Sequence, residues 1–231
     1  MGIRSKIVSK IREKQYSKYA HPTIFDWNWG SKGYNRIALV NYLVSKSGGH
    51  ECKYLEIGCA SNKLFDSVCS LQKTGVDPES GGTHRMTSDD FFDKTSQKAF
   101  DVIFIDGLHE YEQVRRDAIN ALNIINDNGW IAFHDFLPTN WKEQHIPRIQ
   151  SAWTGDCWKL AIELSKAIGV DFYIVNIDCG VGLLRKSKKD FSVPDQSGEL
   201  LKAKFNKFVE EVPNLPIVEY KEAIKIINSF S

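Results

Sequence analysis

A chain of 231 residues is long enough for one well-cored domain with a small appendage, and 42% hydrophobic, 26% charged and 12% aromatic residues exclude a disordered or fibrous protein. Thirty basic against 29 acidic residues leave a net charge of +1, which provides no general field for a polyanion, so nucleic-acid binding would need a local basic patch. No apolar run approaches the ~18 residues of a membrane span, and five cysteines (Cys52, Cys59, Cys69, Cys157, Cys179), with no CxxC pair and no secretory signal, read as reduced thiols of a cytoplasmic protein.

In chain order, Ile3, Ile7 and Ile11 recur every four residues among Lys6, Lys10, Arg12 and Lys14. That is the pattern of a short basic amphipathic helix, docked on the domain or facing a membrane surface or partner. HPTIFDWNWGSKGYN follows, rich in aromatics and turn formers and a candidate interface for a homo-oligomer, and RIALVNYLVSK reads as a helix stopped by Ser47-Gly48-Gly49. From Lys53 onward short apolar runs alternate with helical segments, as in a βαβ sheet. KYLEIG is a strand, NKLFDSVCSL a helix, TGVD a strand, HRMT a short strand, SDDFFDK a helix start, and FDVIFID a strand apolar enough to be covered on both faces. The next helix puts Val114, Ala118, Ala121, Leu122 and Ile125 on one face and is expected to end at Asn128-Gly129, before the strand WIAFHD. A helix through WKLAIELSKAIG leads to DFYIVNI and VGLLRK, an antiparallel pair joined by Asp178-Cys179-Gly180. A polar connector, KSKKDFSVPDQSG, precedes a helical remainder around Pro213 and Pro216. The expected architecture is α/β: a doubly wound Rossmann-like sheet, mostly parallel with an antiparallel last strand. An appendage occupies residues 1–50, the core 51–186, and a packed C-terminal extension 187–231.

Ligands of open α/β sheets bind beyond the carboxyl ends of the strands, where loops and helix N-termini converge. Four successive strand ends here carry an acid: Glu56-Ile57-Gly58, Asp77-Pro78, Asp106-Gly107-Leu108-His109 and His134-Asp135. EIGCASNK follows a strand and opens a helix, and Asp77 is placed to accept hydrogen bonds from ribose hydroxyls. The later glycines that admit a pyrophosphate are replaced by Ala60 and Lys63, with Asn62 between, which favours a ribose-and-adenine ligand without phosphate, such as S-adenosylmethionine (SAM), over NAD(P).

LEIGCASN, GVDPES, TSDDFF and FDVIFIDGLHEYEQVRRDAINAL followed by NGWIAFHDFLP resemble the successive motifs of class I SAM-dependent methyltransferases, in particular the sugar O-methyltransferases of the macrocin and mycinamicin type. The resemblance covers roughly residues 50 to 140. It implies that Glu56, Gly58 and the backbone of Cys59, Ala60 and Ser61 wrap the methionine part of SAM. Asp77 would hold the ribose, Ser88 or Asp89 would lie against adenine, and Asp106 would border the same pocket.

Transfer of a methyl group from a sulfonium to a hydroxyl is an in-line displacement in which the acceptor oxygen loses its proton, so a base or a charge-stabilising cation is useful there. His109, with an ordinary imidazole pKa near 6.5, is the candidate base. Adjacent strand tips would bring Asp106, His134 and Asp135 together, either to bind one divalent ion such as Mg²⁺ or Mn²⁺ or to orient the acceptor. The resemblance implies the metal reading, although His134 stands where the branch has an acid. His84 and Arg85 are further candidates for the site or for a polar loop. The stretch from His134 to Lys159, with three tryptophans and His145, reads as a substrate loop. The activity expected is SAM-dependent O-methylation of a small-molecule or glycan acceptor, with a nucleic-acid methyltransferase or binding module, an NAD(P)-dependent oxidoreductase, or a binding protein that keeps the cofactor pocket without turnover as competing readings.

Overall fold

The computed structural model describes residues 3–95 and 99–230, with backbone alone for residues 3–7, so the apolar stripe's Ile3 and Ile7 lie outside the described side chains. The short apolar runs become strands β1 (Lys53–Ile57), β2 (Gln72–Val76), β3 (Phe100–Ile105), β4 (Ile125–Phe133), β5 (Val170–Val175) and β6 (Val181–Lys186), joined by a two-residue β7 (Ile217–Val218). They form one sheet in the order β2-β1-β3-β4-β6-β5-β7. The first four run parallel, β6 enters antiparallel to both β4 and β5, and β7 pairs parallel with β5.

Helices cover both faces: α1 (Ile3–Gln15), α2 (Arg36–Lys46), α3 (Lys63–Ser67), α4 (Ser88–Lys94), α5 (Tyr111–Ile124), α6 (Trp158–Leu164), α7 (Ser197–Leu200), α8 (Phe205–Glu211) and α9 (Tyr220–Ser229). Alternation along the strands sorts the core. Leu55, Ile57, Ile103, Ile105, Ile131 and Phe133 join the cluster that contains the buried residues of α4, α5, α6 and α8. Tyr54, Val102, Phe104, Trp130 and Ala132 join the cluster of α2, α3 and α9. Both faces are therefore buried, as the continuous apolar run of β3 requires.

Three local expectations are corrected. HRMT contributes only an isolated bridge, Val76 to His84, and no strand. The long helix stops at Ile124, and Asn128-Gly129 lies inside β4, where the register jumps from Phe100↔Ile125 to Val102↔Trp130. This is a bulge: Asp101 holds it by accepting from Asn126 Nδ2 (2.6 Å), and a Cβ on Gly129 would come within 2.8 Å of the Asp101 carbonyl oxygen. Helix α3 ends at Ser67 because Lys73 Nζ takes the Phe65 carbonyl (2.6 Å) and Asn41 Nδ2 takes that of Ser67 (2.9 Å).

Both terminal segments pack on the sheet domain. Phe25 N–H donates to Thr139 O (2.8 Å), Trp27 Nε1 to Pro138 O (3.2 Å), and the Phe25 ring meets Phe205 and Phe208 edge-on. Among the described residues no helix is long and apolar enough to cross a membrane, and all five cysteines are free. Glu163, fully buried, accepts from Tyr111 OH (2.8 Å), Arg115 Nε (2.9 Å) and Gln196 N–H (2.7 Å), tying α5, α6 and the C-terminal extension together. Removing one partner of such a buried network leaves the others unpaired. Glu163→Ala is expected to lower unfolding stability by about 3 kcal/mol, read from urea denaturation, while a loss below about 0.5 kcal/mol, the size of an ordinary surface change, would contradict this role.

Candidate active site

The loop after β1 is built around close backbone approach. Gly58 has φ +86°, and a Cβ there would sit 2.1 Å from the Asp106 carbonyl oxygen, so the tips of β1 and β3 touch only because this residue is glycine. Ala60 (φ +43°) and Asn62 (φ +62°) keep the left-handed turns that glycines supply elsewhere. Asn62 Oδ1 accepts from Gly82 N–H (2.7 Å), fastening this loop to the one after β2. Between them Asp77 accepts three backbone N–H groups: Ala60 (2.8 Å), Glu79 (2.8 Å) and Ser80 (2.7 Å). Burial raises its pKa, but these hydrogen bonds and the Arg85 charge outweigh that and hold it below the usual carboxylate value. Asp77 thus shapes the pocket as well as facing it.

A cavity of about 800 Å³ lies at these strand ends, and its wall includes Glu56, Gly58, Cys59, Ala60, Ser61, Asp77, Ser88, Asp89, Asp106, His109, His134 and Asp135. Glu56 accepts from Tyr54 OH (2.5 Å), and burial pushes its carboxyl up to about 7. Burial also pushes the Cys59 thiol up to about 12, so it is no nucleophile. Ser88 and Asp89 are bridged by Gln113 Nε2 at 3.1 Å each.

Two carboxylates and two imidazoles meet at one end of the cavity. Asp106 Oδ1 lies 3.2 Å from His109 Nε2 and 3.4 Å from His134 Nδ1. Asp135 reaches His109 Nδ1 (2.9 Å) and His134 Nδ1 (3.1 Å) from a left-handed backbone position, φ +67°. Such a conformation at a non-glycine residue is sustained only where its surroundings enforce it. His109 also stacks on Trp153 (ring centroids 5.2 Å, 17° between planes), with its Nδ1 3.1 Å from Trp153 O. Gly155 admits this fit, since a Cβ there would lie 1.7 Å from His109 O.

The expected pKa of His109 is corrected by this setting. Burial lowers it, but hydrogen bonds to Asp106 and Asp135 more than compensate and raise it to about 10. In the metal-free protein it is a cation at neutral pH. Both carboxylates are held below the usual range by the same contacts, and His134 is raised above its usual value by Asp106 and Asp135 despite burial.

Two residues not singled out in the sequence complete the cluster. Arg36, in the first turn of α2, donates from Nη1 to Asp178 (2.9 Å) and sits 3.1 Å from His134 Nε2. A guanidinium only donates, so that contact is a hydrogen bond when Nε2 carries no proton; Asp178 Oδ1 lies 3.7 Å from the same nitrogen. A positive charge opening a helix opposes the helix dipole, and that oddity was the readable signal. Asp178, in the β5–β6 turn at φ +42°, reads as a turn residue. His84 and Arg85 do not line the cavity. Of the stretch read as a substrate loop, His134, Asp135 and Trp153 line it; Trp141, Trp158 and His145 are buried, with Trp158 in the core and His145 against Tyr16.

Asp106, His134 and Asp135 each offer one ligand atom within 4.8 Å of the others. Two carboxylates and an imidazole fit a divalent cation, Mn²⁺, Fe²⁺ or Zn²⁺ better than oxygen-seeking Mg²⁺. A second group, His134, Asp178 and Cys179, also satisfies this spacing, but Arg36 already bridges its histidine and carboxylate.

Residues 63–136 match the family model described as a methyltransferase domain. These residues carry a methyltransferase domain, and the sheet around them has the class I methyltransferase architecture. The chain's fold is similar to that of a Corynebacterium glutamicum protein (10% identity, TM-score 0.51, covering 80% of this chain and 91% of that one). It is also similar to the SAH-bound Podospora anserina methyltransferase PaMTH1 (12%, 0.50, 81% and 98%). The MycE methyltransferase of the mycinamycin pathway, with Mg and SAH, aligns at 15% identity and TM-score 0.44 over 77% of this chain and 55% of that one. No curated protein matches in sequence.

The His109 shift fixes the sign of a pH dependence of stability. A group raised from 6.5 to about 10 in the folded state contributes stability that is full below pH 6.5 and is lost as pH rises through 10. The metal-free protein is therefore expected to lose urea resistance between pH 7 and pH 10, and His109→Gln to flatten that slope; an unchanged slope would contradict the buried ion pairs.

Proposed function

We propose that the protein is a SAM-dependent methyltransferase that acts on a hydroxyl group, most specifically a sugar hydroxyl of a small-molecule or glycan acceptor. The observation that carries the reading is His109, held between two strand-tip carboxylates on the wall of the cavity that Asp77 and the β1 loop shape for the donor. A hydroxyl nucleophile needs its proton removed, and this cluster is built to handle one proton. The order and spacing of the strand-end motifs, which resemble those of the macrocin and mycinamicin branch, support the sugar.

SAM supplies a methyl group on a sulfonium, open to in-line displacement by an oxygen. Asp77 would hold the ribose, Glu56 and the Gly58–Ser61 backbone the methionine end, and Ser88 or Asp89 the adenine. His109 accepts the acceptor's proton at Nε2, the nitrogen facing Asp106, while Trp153 and Asp135 fix the ring from its face and from Nδ1. For that it must enter turnover neutral. Engaging Asp106 and Asp135 elsewhere weakens their hold on its proton and returns its pKa toward 6.5. A divalent cation on Asp106, His134 and Asp135 would supply that charge compensation and Lewis acidity toward the hydroxyl.

His109→Ala is expected to cut kcat by 10²- to 10⁴-fold, the usual worth of a general base, with SAM affinity by calorimetry within about twofold. Loss of SAM binding in that variant would reassign His109 to the donor site. Asp77→Ala is expected to weaken SAM binding by about tenfold or more, equivalent to ~1.4 kcal/mol. Chelation with EDTA should abolish turnover, and Mn²⁺ should restore it. Full activity after exhaustive chelation would remove the metal and leave His109 with Asp106 and Asp135 alone.

A further inference from the structure

The aromatic segment before α2 has no part in the chemistry above, yet it forms a second cavity beside it. A cleft of about 290 Å³ is bounded by Trp29, Lys32, Gly33, Tyr34, Asn35 and Asp178. Its wall is shared with the active site. Asp178 lies 3.7 Å from His134 and pairs with Arg36, which lines the large cavity. Anything held in the cleft therefore sits one residue away from the proposed proton-handling cluster.

The lining suits a sugar. A pyranose offers a flat C–H face to aromatic rings and a rim of hydroxyls to polar groups. Both aromatics are held in place before any ligand arrives. Trp29 donates from Nε1 to Asn176 Oδ1 (3.1 Å) and stacks on Trp27. Tyr34 stacks on Tyr220 with centroids 4.1 Å apart and 3° between planes, yet remains 47% exposed, so it retains an accessible surface. Preset rings lose little entropy on binding.

Charge argues for a neutral ligand. Lys32 is paired with Glu219 and Asp178 with Arg36, so the cleft has no unspent ion to attract a phosphate or a carboxylate. Asn35 commits its Oδ1 to the N–H groups of Ile37 and Ala38, which leaves its Nδ2 donor for a hydroxyl. Nothing lies within 4 Å of where a Cβ on Gly33 would project, so the edge of the cleft is open there.

We propose that this cleft is an acceptor subsite that holds one neutral pyranose ring of a glycoside, next to the hydroxyl that is methylated. The inference rests on the sugar-hydroxyl reading and deepens it. The test uses full-length protein loaded with SAH and saturation-transfer NMR with a panel of methyl pyranosides, with the acyclic polyol mannitol as control. Wild-type protein is expected to bind at least one pyranoside and not mannitol. Gly33→Phe, which fills the open edge, and Tyr34→Ala, which removes an exposed platform, are each expected to weaken that binding at least tenfold, with SAH affinity unchanged. Undiminished pyranoside binding in both variants would overturn the subsite and leave the sugar reading standing. Absence of pyranoside binding to wild type would overturn both, and loss of SAH affinity in either variant would assign the cleft to the donor instead.

Discussion

The active end of this protein depends on a buried cluster of opposite charges: Asp106 and Asp135 against His109 and His134, with Arg36 and Asp178 at its edge. Charges out of water are costly unless paired, so each member constrains the others. The parallel register supplies the meeting point. Ile57 is opposite Ile105, and Ile105 opposite Phe133, which brings the residues that follow β1, β3 and β4 to one edge. Gly58 lets the first two tips touch, and the left-handed Asp135 turns its carboxylate back into the cluster.

The segments outside the matched domain serve that cluster as well. Helix α2 brings in Arg36, with Asn35 capping its first turn. The loop after β4 returns Trp153 to the face of His109, and Asp156 then accepts from Tyr111 N–H (2.7 Å) to cap α5. The C-terminal extension adds β7 at the sheet edge and meets α6 through Glu163. Donor site, proton-handling groups and proposed acceptor cleft thus come from different lengths of chain, held together by one sheet.

Much of this was legible in the residues. Alternating apolar runs located β1 to β6, and an acid at each of four strand tips located the cavity. The signals that failed were those set by tertiary packing. The Asn128-Gly129 pair has the chemistry of a helix stop, but Asp101 holds it as a bulge within a strand. HRMT has too few apolar residues to pair further than one bridge. Asp178 looked like turn chemistry because the turn is real, and nothing local announces the arginine 142 positions away that pairs with it. The protonation of His109 was unreadable for the same reason: Asp135, 26 residues downstream, shares its proton with Asp106 only once the strands align.

A crystal structure with SAH bound tests the central claim most directly. The expected result has the adenosyl ribose at Asp77, the amino-acid end along Gly58–Ser61, and the sulfur facing the group formed by Asp106, His109 and Asp135. SAH bound elsewhere, or with its sulfur turned away from those three residues, would contradict the assignment of that cluster to methyl transfer.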